Sequence, residues 1–321
     1  MRFIFLCIIW SIGLKSYAWK ADFTVSKDGL GDFRTVQEAI DAVPDFRKQQ
    51  TIISIKAGVY TERISVSPAK KGLVLIGEDP ERTLLTYDHY AQRLNTFNEE
   101  IGTSGSASFY VFADDFTAIN ISFENSAGAV GQAVAIWIGG DRAAFKNCRF
   151  LGFQDTLYTY GPGARQYFED CYIEGTVDFI FGSATAWFEK CLIYCKKKGY
   201  ITAASTPESS EFGYIFNSCT IEGMAPEGKF YLGRPWRPFA KVAFIHCELS
   251  AIIHPTGWDN WSNAENEKTA QFVEYQNTGP GAQPEKRAAW SRQLSAEEIS
   301  NYTLLKVFRG WNPLNAFITN L

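Results

Sequence analysis

Apolar residues along this chain come in short bursts rather than long helical stripes. The bursts are rich in Phe, Ile, Val and Thr, and Gly, Asn, Asp and Ser stand between them. Five bursts carry one phrase, Phe-x-x-Cys-x-apolar: Phe145 to Phe150, Phe168 to Ile173, Phe188 to Ile193, Phe216 to Ile221 and Phe244 to Leu249. Their cysteines are 23, 20, 28 and 28 residues apart. Phe116-Thr-Ala-Ile119-Asn-Ile121 reads as an earlier copy with Ile in the Cys place. Self-similarity at this period marks a solenoid. Short strands separated by turn residues, at about 25 residues per unit, suit one coil of a parallel β-helix. The expected fold is all-β, a single-domain parallel β-helix with short capping helices. In each copy the Cys and the residue two on point inward. The Phe lies beyond a bend on the preceding strand and also points in.

The ends of a solenoid need covers. Thr35-Val-Gln-Glu38 is a capping-box signature and Pro44 is a helix stop, so a helix over 35–43 is expected on the first coil. Ser295-Ala-Glu-Glu298 opens a second short helix near the other end. No linker separates these parts, which makes 19–321 one domain. Before it, Met1-Arg2, an apolar run from Phe3 to Leu14 and Ser16-Tyr-Ala18 form a secretory signal over 1–18, placing the mature protein outside the cell or in the periplasm. The apolar run is too short to span a bilayer, so no membrane association is expected after cleavage.

Composition narrows the chemistry. The formal net charge is −4, and losing Arg2 and Lys15 with the signal takes it to −6. Such a chain lacks the basic face of a nucleic-acid binder. Three scattered histidines argue against a multi-histidine zinc site and a Ser-His-Asp hydrolase. No metal or cofactor is called for. The cysteines leave two readings open: a disulfide or metal framework, or a ladder of small buried thiols, which the stacked positions favour. Were one bridge present, Cys171–Cys191, the shortest step, would be the pair. Lys196-Lys-Lys198 reads as a solvated turn.

The repeat also aligns two carboxylates. Asp155 and Asp178 each lie seven residues after a repeat cysteine, and Gly152 and Gly175 each lie four after. Stacked coils would put the two carboxylates about 5 Å apart. At an effective dielectric near 20 that repulsion is roughly 3 kcal/mol, or about two pKa units. One partner then holds a proton near neutral pH while the other is ionised, as an acid beside a nucleophile or base requires. The alternative is a pair of turn aspartates splayed into water.

Several longer segments carry a family resemblance. Gly58-Val-Tyr-Thr-Glu62, Gln132-Ala-Val-Ala-Ile136, Gly152-Phe-Gln-Asp-Thr-Leu157, Gly175-Thr-Val-Asp-Phe-Ile-Phe-Gly182 and Leu232-Gly-Arg-Pro-Trp236 resemble the motifs of pectinesterases, in their order and spacing. The likeness extends over most of 22–313 and implies a right-handed parallel β-helix that hydrolyses the methyl esters of pectin. It further implies that Asp178 is the nucleophile and Asp155 the general acid, then base. Gln132 and Gln154 would be oxyanion donors, and Arg234 the partner that keeps Asp178 ionised and oriented. Thr103 and Trp236 become substrate contacts, with Tyr158, Phe179 and Trp258 as further cleft aromatics. The implied partner is methylesterified homogalacturonan, met by a monomer. A lyase of this fold would bring a calcium-binding acidic cluster and a basic residue. A polygalacturonase would bring a different acid set. A non-catalytic binding member would have lost an aspartate. The negative mature charge further suggests a preference for highly esterified pectin.

Overall fold

One turn of backbone repeats at every copy of the Phe-x-x-Cys phrase. The residue just before the Cys position (Asn120, Asn147, Asp170, Lys190, Ser218, His246) has a φ between 50° and 57°, the left-handed region. Asn and Asp tolerate it best, and the short Asn side chains also bond between coils, Asn147 Nδ2 donating to Asn120 Oδ1 at 2.8 Å. This corner swings the chain from one sheet into the next. In the computed structural model, which describes residues 20–318, the result is a parallel β-helix of three sheets with eleven, eight and seven strands. All pairing between the named strands is parallel. The signal segment expected over 1–18 lies outside the described residues.

The phenylalanines occupy the eleven-stranded sheet in register, Phe145 against Phe168, then Phe188, Phe216 and Phe244. Their rings stack face to face at 5.0, 4.8, 4.5 and 4.4 Å with interplanar angles below 10°. The residues two after each Cys (Phe150, Ile173, Ile193, Ile221, Leu249) form a second ladder on the eight-stranded sheet. Both ladders face the core and are fully buried. At about 25 cal/mol per Å2, burying each such side chain stabilises the stack by roughly 2 kcal/mol.

The six cysteines from Cys148 to Cys247 are buried free thiols, so the Cys171–Cys191 bridge is not formed. Each ladder thiol donates to backbone carbonyls instead, for example Cys219 Sγ to Phe188 O at 3.3 Å. Cys195, the one outside the ladder, pairs with Gly175 and Gly223 on the two neighbouring strands.

The earlier copy of the repeat is shifted by two. Phe145 pairs with Ala118, not Phe116, and the corner falls at Asn120. Ile121 therefore holds the Cys place and Phe123 the place two on. Phe116 leans on Phe145 at 5.8 Å with a 48° tilt, off the ladder.

The first coil is covered as expected. The helix Val36–Ala42 carries the full Thr35/Glu38 capping box and buries Val36, Ala39 and Ile40. Glu62 accepts from Val36 N and Gln37 N at 2.9 and 3.0 Å, satisfying further end groups. The Ser295/Glu298 box is also made, but it opens only a 3-10 turn, Glu298–Asn301. This segment does not cap an end. It runs back along the outer face of the eleven-stranded sheet, where Leu294, Val307 and Phe308 pack on Tyr167, Trp187 and Ile215. At the far end a buried ion pair, Arg287 Nε to Glu274 Oε1 at 2.7 Å, is completed by Trp258 Nε1 and Asn277 Nδ2.

Candidate active site

The site lies where the chain leaves the eight-stranded sheet and enters the seven-stranded one. Gly175 makes this passage possible. A Cβ there would sit 2.2 Å from Phe179 Cβ and 2.7 Å from Phe153 O, too close for any other residue. Three residues after Gly152 and after Gly175 the coil turns again, and Asp155 (φ 64°) and Asp178 (φ 53°) both take the left-handed conformation. Leu157 pairs with Ile180, so the 23-residue step stacks the two aspartates on adjacent coils. Asp155 N donates to Val177 O at 3.1 Å. Holding both in this strained conformation aims the two carboxyls the same way, out of the sheet.

Both aspartates are buried, at 8% and 6% exposure. They differ in their partners. Arg234 grips Asp178 with two bonds, Nε to Oδ1 at 2.9 Å and Nη2 to Oδ2 at 2.7 Å. Burial pushes the Asp178 carboxyl up, and the guanidinium opposes that by hydrogen bonding and charge. Asp155 has no such bond. Burial first, and the neighbouring Asp178 second, push it well above the usual carboxylate range, with Arg234 opposing weakly from a distance. The two carboxyls are therefore unlike: Asp155 is pushed toward its protonated form, whereas the Arg234 guanidinium draws Asp178 toward the ionised one.

Arg234 is itself held. Its guanidinium lies 3.9 Å from the Tyr200 ring and 3.7 Å from the Trp261 ring, between two aromatic faces. It reaches Asp178 from the edge strand Phe230–Pro235 across Ala203, which separates it from Phe181 in the row of outward residues. A small side chain at 203 leaves the hollow open.

Gln132 and Gln154 are bridged across adjacent coils beside the aspartates. Gln92 Nε2 donates to Gln132 Oε1 at 3.0 Å, which leaves the Gln132 amide N–H groups for the hollow. Together with Thr103, Ser104, Tyr158, Phe181, Trp236 and Trp261 these groups line a cleft of about 330 Å3. That volume falls in the usual range for small-ligand clefts. An arginine-held carboxylate, a second buried carboxyl and two side-chain amides in one partly desolvated hollow have the chemistry that acyl transfer needs.

Eight of the ten expected site residues meet here; Phe179 and Trp258 do not. Phe179 is fully buried and packs edge-on against Phe230 in the core. Trp258 is 2% exposed and packs between Phe244 and Phe272. The outward aromatics at these places are Phe181 and Trp261. The 23-residue step already pointed to Phe181, because it pairs Tyr158 with residue 181, and the two rings stack at 4.2 Å. Trp261 carried no such signal, since it lies in a loop after Trp258. Lys196 is also no solvated residue. Its ammonium lies 3.7 Å from the Phe153 ring and donates to Gly152 O at 3.1 Å and Glu174 Oε1 at 2.7 Å, bracing the turn that presents Gln154.

A family model for pectinesterases matches residues 22–310. The chain belongs to the pectinesterase family. Pectinesterase 31 of Arabidopsis thaliana is 46% identical over 87% of this chain and 89% of its own length. A probable pectinesterase/pectinesterase inhibitor 21 of the same plant is 36% identical over 92% of this chain, which spans only 45% of that longer protein. Among solved structures, pectin methylesterase from carrot superposes with a TM-score of 0.86 at 31% identity, covering 96% of this chain and 99% of the other. A pectin methylesterase crystallised with a hexasaccharide superposes with a TM-score of 0.82 at 30% identity, covering 92% and 99%. Membership in the pectinesterase family makes the chain a carboxylic ester hydrolase and accounts for the β-helix.

Proposed function

We propose that the chain removes methyl esters from the galacturonate units of pectin through an aspartyl acyl-enzyme. The observation that carries the mechanism is the asymmetry of the stacked aspartates, one gripped by Arg234 through two bonds and the other buried without such a partner. Asp178 attacks the ester carbonyl carbon, and the amides of Gln132 and Gln154 receive the oxyanion. As the tetrahedral centre collapses, the C–O bond to methoxide breaks and Asp155 gives it a proton, so methanol leaves. The anhydride that remains joins the galacturonyl group to Asp178. Asp155, now a carboxylate, takes a proton from water as that water attacks the same carbon. The bond to Asp178 breaks and frees it as a carboxylate, the sugar leaves as the free acid and loses its remaining proton to solvent, and Asp155 has its proton back. Trp236 and Trp261 offer the sugar ring apolar faces.

The polymeric substrate fits an exported enzyme. The apolar leader over 1–18 supports secretion or a periplasmic location, and we take the working unit to be a monomer. N-terminal sequencing of exported protein and light scattering test those two points. The chemistry is tested with residues 19–321 and highly methylesterified pectin, following methanol, new reducing ends and unsaturated sugar together. Methanol alone is expected, and Asp178→Asn should abolish it. Reducing ends or unsaturated product without methanol would overturn the reading.

A further inference from the structure

Three consecutive coils meet at one lysine. Gly152 to Asp155 turn on the first coil and Gly175 to Asp178 on the second. Lys196 stands at the matching corner of the third, just after Cys195, which pairs with Gly175. Its backbone N–H donates to Gly175 O at 3.0 Å, an ordinary bond to the neighbouring coil. Its side chain goes further and donates to Gly152 O at 3.1 Å, two coils back, a span of about 10 Å in strand spacings. The same ammonium lies 3.7 Å from the centre of the Phe153 ring and donates to Glu174 Oε1 at 2.7 Å. Glu174 is held in turn, because Tyr172 Oη donates to its other oxygen at 2.9 Å.

Phe153 directly precedes Gln154 and Asp155. Thr176 N holds it by the carbonyl at 2.8 Å, and Lys196 holds it by the ring. Thr156 Oγ1, just past Asp155, donates to Glu174 O at 3.0 Å and closes the group. The Lys196 and Glu174 side chains are 22% and 18% exposed, so their pair keeps strength that a surface pair loses to water and salt. Lys197 and Lys198 beside them are exposed. Lys196, Glu174 and Phe153 do not line the cleft. The lysine's charge does not set the acid either. The groups that face Asp155 are Asp178, Arg234 and Tyr158, and burial is the largest cause of its rise.

We propose that Lys196 is a positioning residue for the reaction, a staple from outside the cleft that fixes the turn carrying Gln154 and Asp155 against the turn carrying Asp178. This rests on the ester-hydrolase reading of the cleft. Bonds between neighbouring coils alone let one turn shift against the next. A side chain that skips a coil binds both turns into one unit and sets how far the amide and the acid stand from the nucleophile. A misplacement of about 1 Å at reacting groups can cost roughly 10²-fold in rate. Loosening the staple admits water beside Asp155 and lets the two carboxyls part, and both changes remove what raises Asp155. Loss of a nearby cation would act the other way and raise it further. The direction in which Asp155 moves therefore separates positioning from charge.

The test compares the parent with Lys196→Met, which keeps the apolar stem, Lys196→Arg, which restores donors and a cation over Phe153, and Lys198→Met as the exposed control. Methanol release from highly methylesterified pectin gives kcat, KM and the pH profile, well below the melting temperature of each protein. Lys196→Met should lower kcat about tenfold with KM little changed. The alkaline limb of kcat/KM should move to lower pH while the acid limb stays. Lys196→Arg should recover most of the rate, and Lys198→Met should match the parent. Glu174→Gln weakens the staple without removing it and should shift kcat and the alkaline limb the same way by less, which decides the matter if Lys196→Met does not fold. A lower melting temperature with unchanged kcat and limbs would overturn the proposal and leave Lys196 a structural tie. So would an alkaline limb that rises, or a loss that Lys196→Arg does not recover. Asp155 is also titrated directly by carboxyl-carbon NMR of aspartate-labelled protein, its signal identified by its absence from Asp155→Asn. A lower midpoint in Lys196→Met with no methanol from the parent would keep the staple and remove the chemistry. Methanol from the parent with an unmoved midpoint would do the reverse.

Discussion

Arg234 closes both of its bonds to Asp178 along one edge of the guanidinium, Nε to Oδ1 and Nη2 to Oδ2, while Tyr200 and Trp261 cover its faces. The arginine thus orients Asp178, the proposed nucleophile, and favours its ionised form at once. Lysine could supply the charge but neither the fork nor the stacking plane. Arg234→Lys should therefore lower kcat by roughly 10²-fold. Arg234→Gln removes the charge too. Arg234 opposes the upward push on both aspartates, so its loss lets both rise. The acid limb of kcat/KM, set by the ionised nucleophile, and the alkaline limb, set by the protonated acid, should both move to higher pH. A profile that keeps its limbs would argue against these assignments.

Burial raises the Asp155 carboxyl, and that carries a cost to the fold. Its folded value is raised above the unfolded one, near 4. The folded state therefore keeps a proton that the unfolded chain gives up, and stability is lost as pH climbs from about 4 toward the raised folded value. Asparagine has no charge to bury. Asp155→Asn should be inactive yet melt higher than the parent at pH 8, by at least ~2 °C, with the gap closing at pH 4. Equal melting curves at both pH values would contradict the assignment of the proton.

In the proposed mechanism Gln92 would act on the oxyanion through Gln132, whose carbonyl it holds at 3.0 Å. Removing its amide by Gln92→Leu frees Gln132 to flip its carbonyl toward the cleft. The expected loss is about tenfold in kcat, against roughly 10²-fold for Gln132→Ala, with KM and both pH limbs unchanged. The Gln92→Leu/Gln132→Ala double variant should be no worse than Gln132→Ala. A further drop would mean that Gln92 contacts substrate directly.

The six described thiols are sealed in the stack. A thiol reagent in excess should leave them unlabelled in native protein and label them on addition of denaturant, at a rate that follows opening of the coils. Rapid native labelling of any of them would show a coil that is not closed.

The repeat made the architecture legible because each coil places the same residue types at the same corner. The inward Phe, Cys and apolar places and the stacking of Asp155 on Asp178 followed from spacing, and the capping helix from its capping box and the proline after it. What stayed hidden had physical causes. Phe116 mimicked a ladder residue, because Ala118 fills the true place with no aromatic to mark it. Phe179 and Phe181 are alike in kind and differ only in the face they take. Trp258 and Trp261 differ likewise, on a loop the repeat does not govern. Lys196 looked like part of a charge run until the fold carried Phe153 beneath it.

The left-handed corners carry a last consequence. Cysteine steps range from 20 to 28 residues, yet the rings of the ladder stay in register. Extra chain is therefore taken up wholly outside the corners, in segments that leave the spine and return to it. The cleft walls at 103–105 and around Trp261 are of this kind. They can lengthen, shorten or change composition without disturbing the stack that positions Asp155 and Asp178. Selectivity for different pectins is thus free to diverge while the reacting groups keep their geometry.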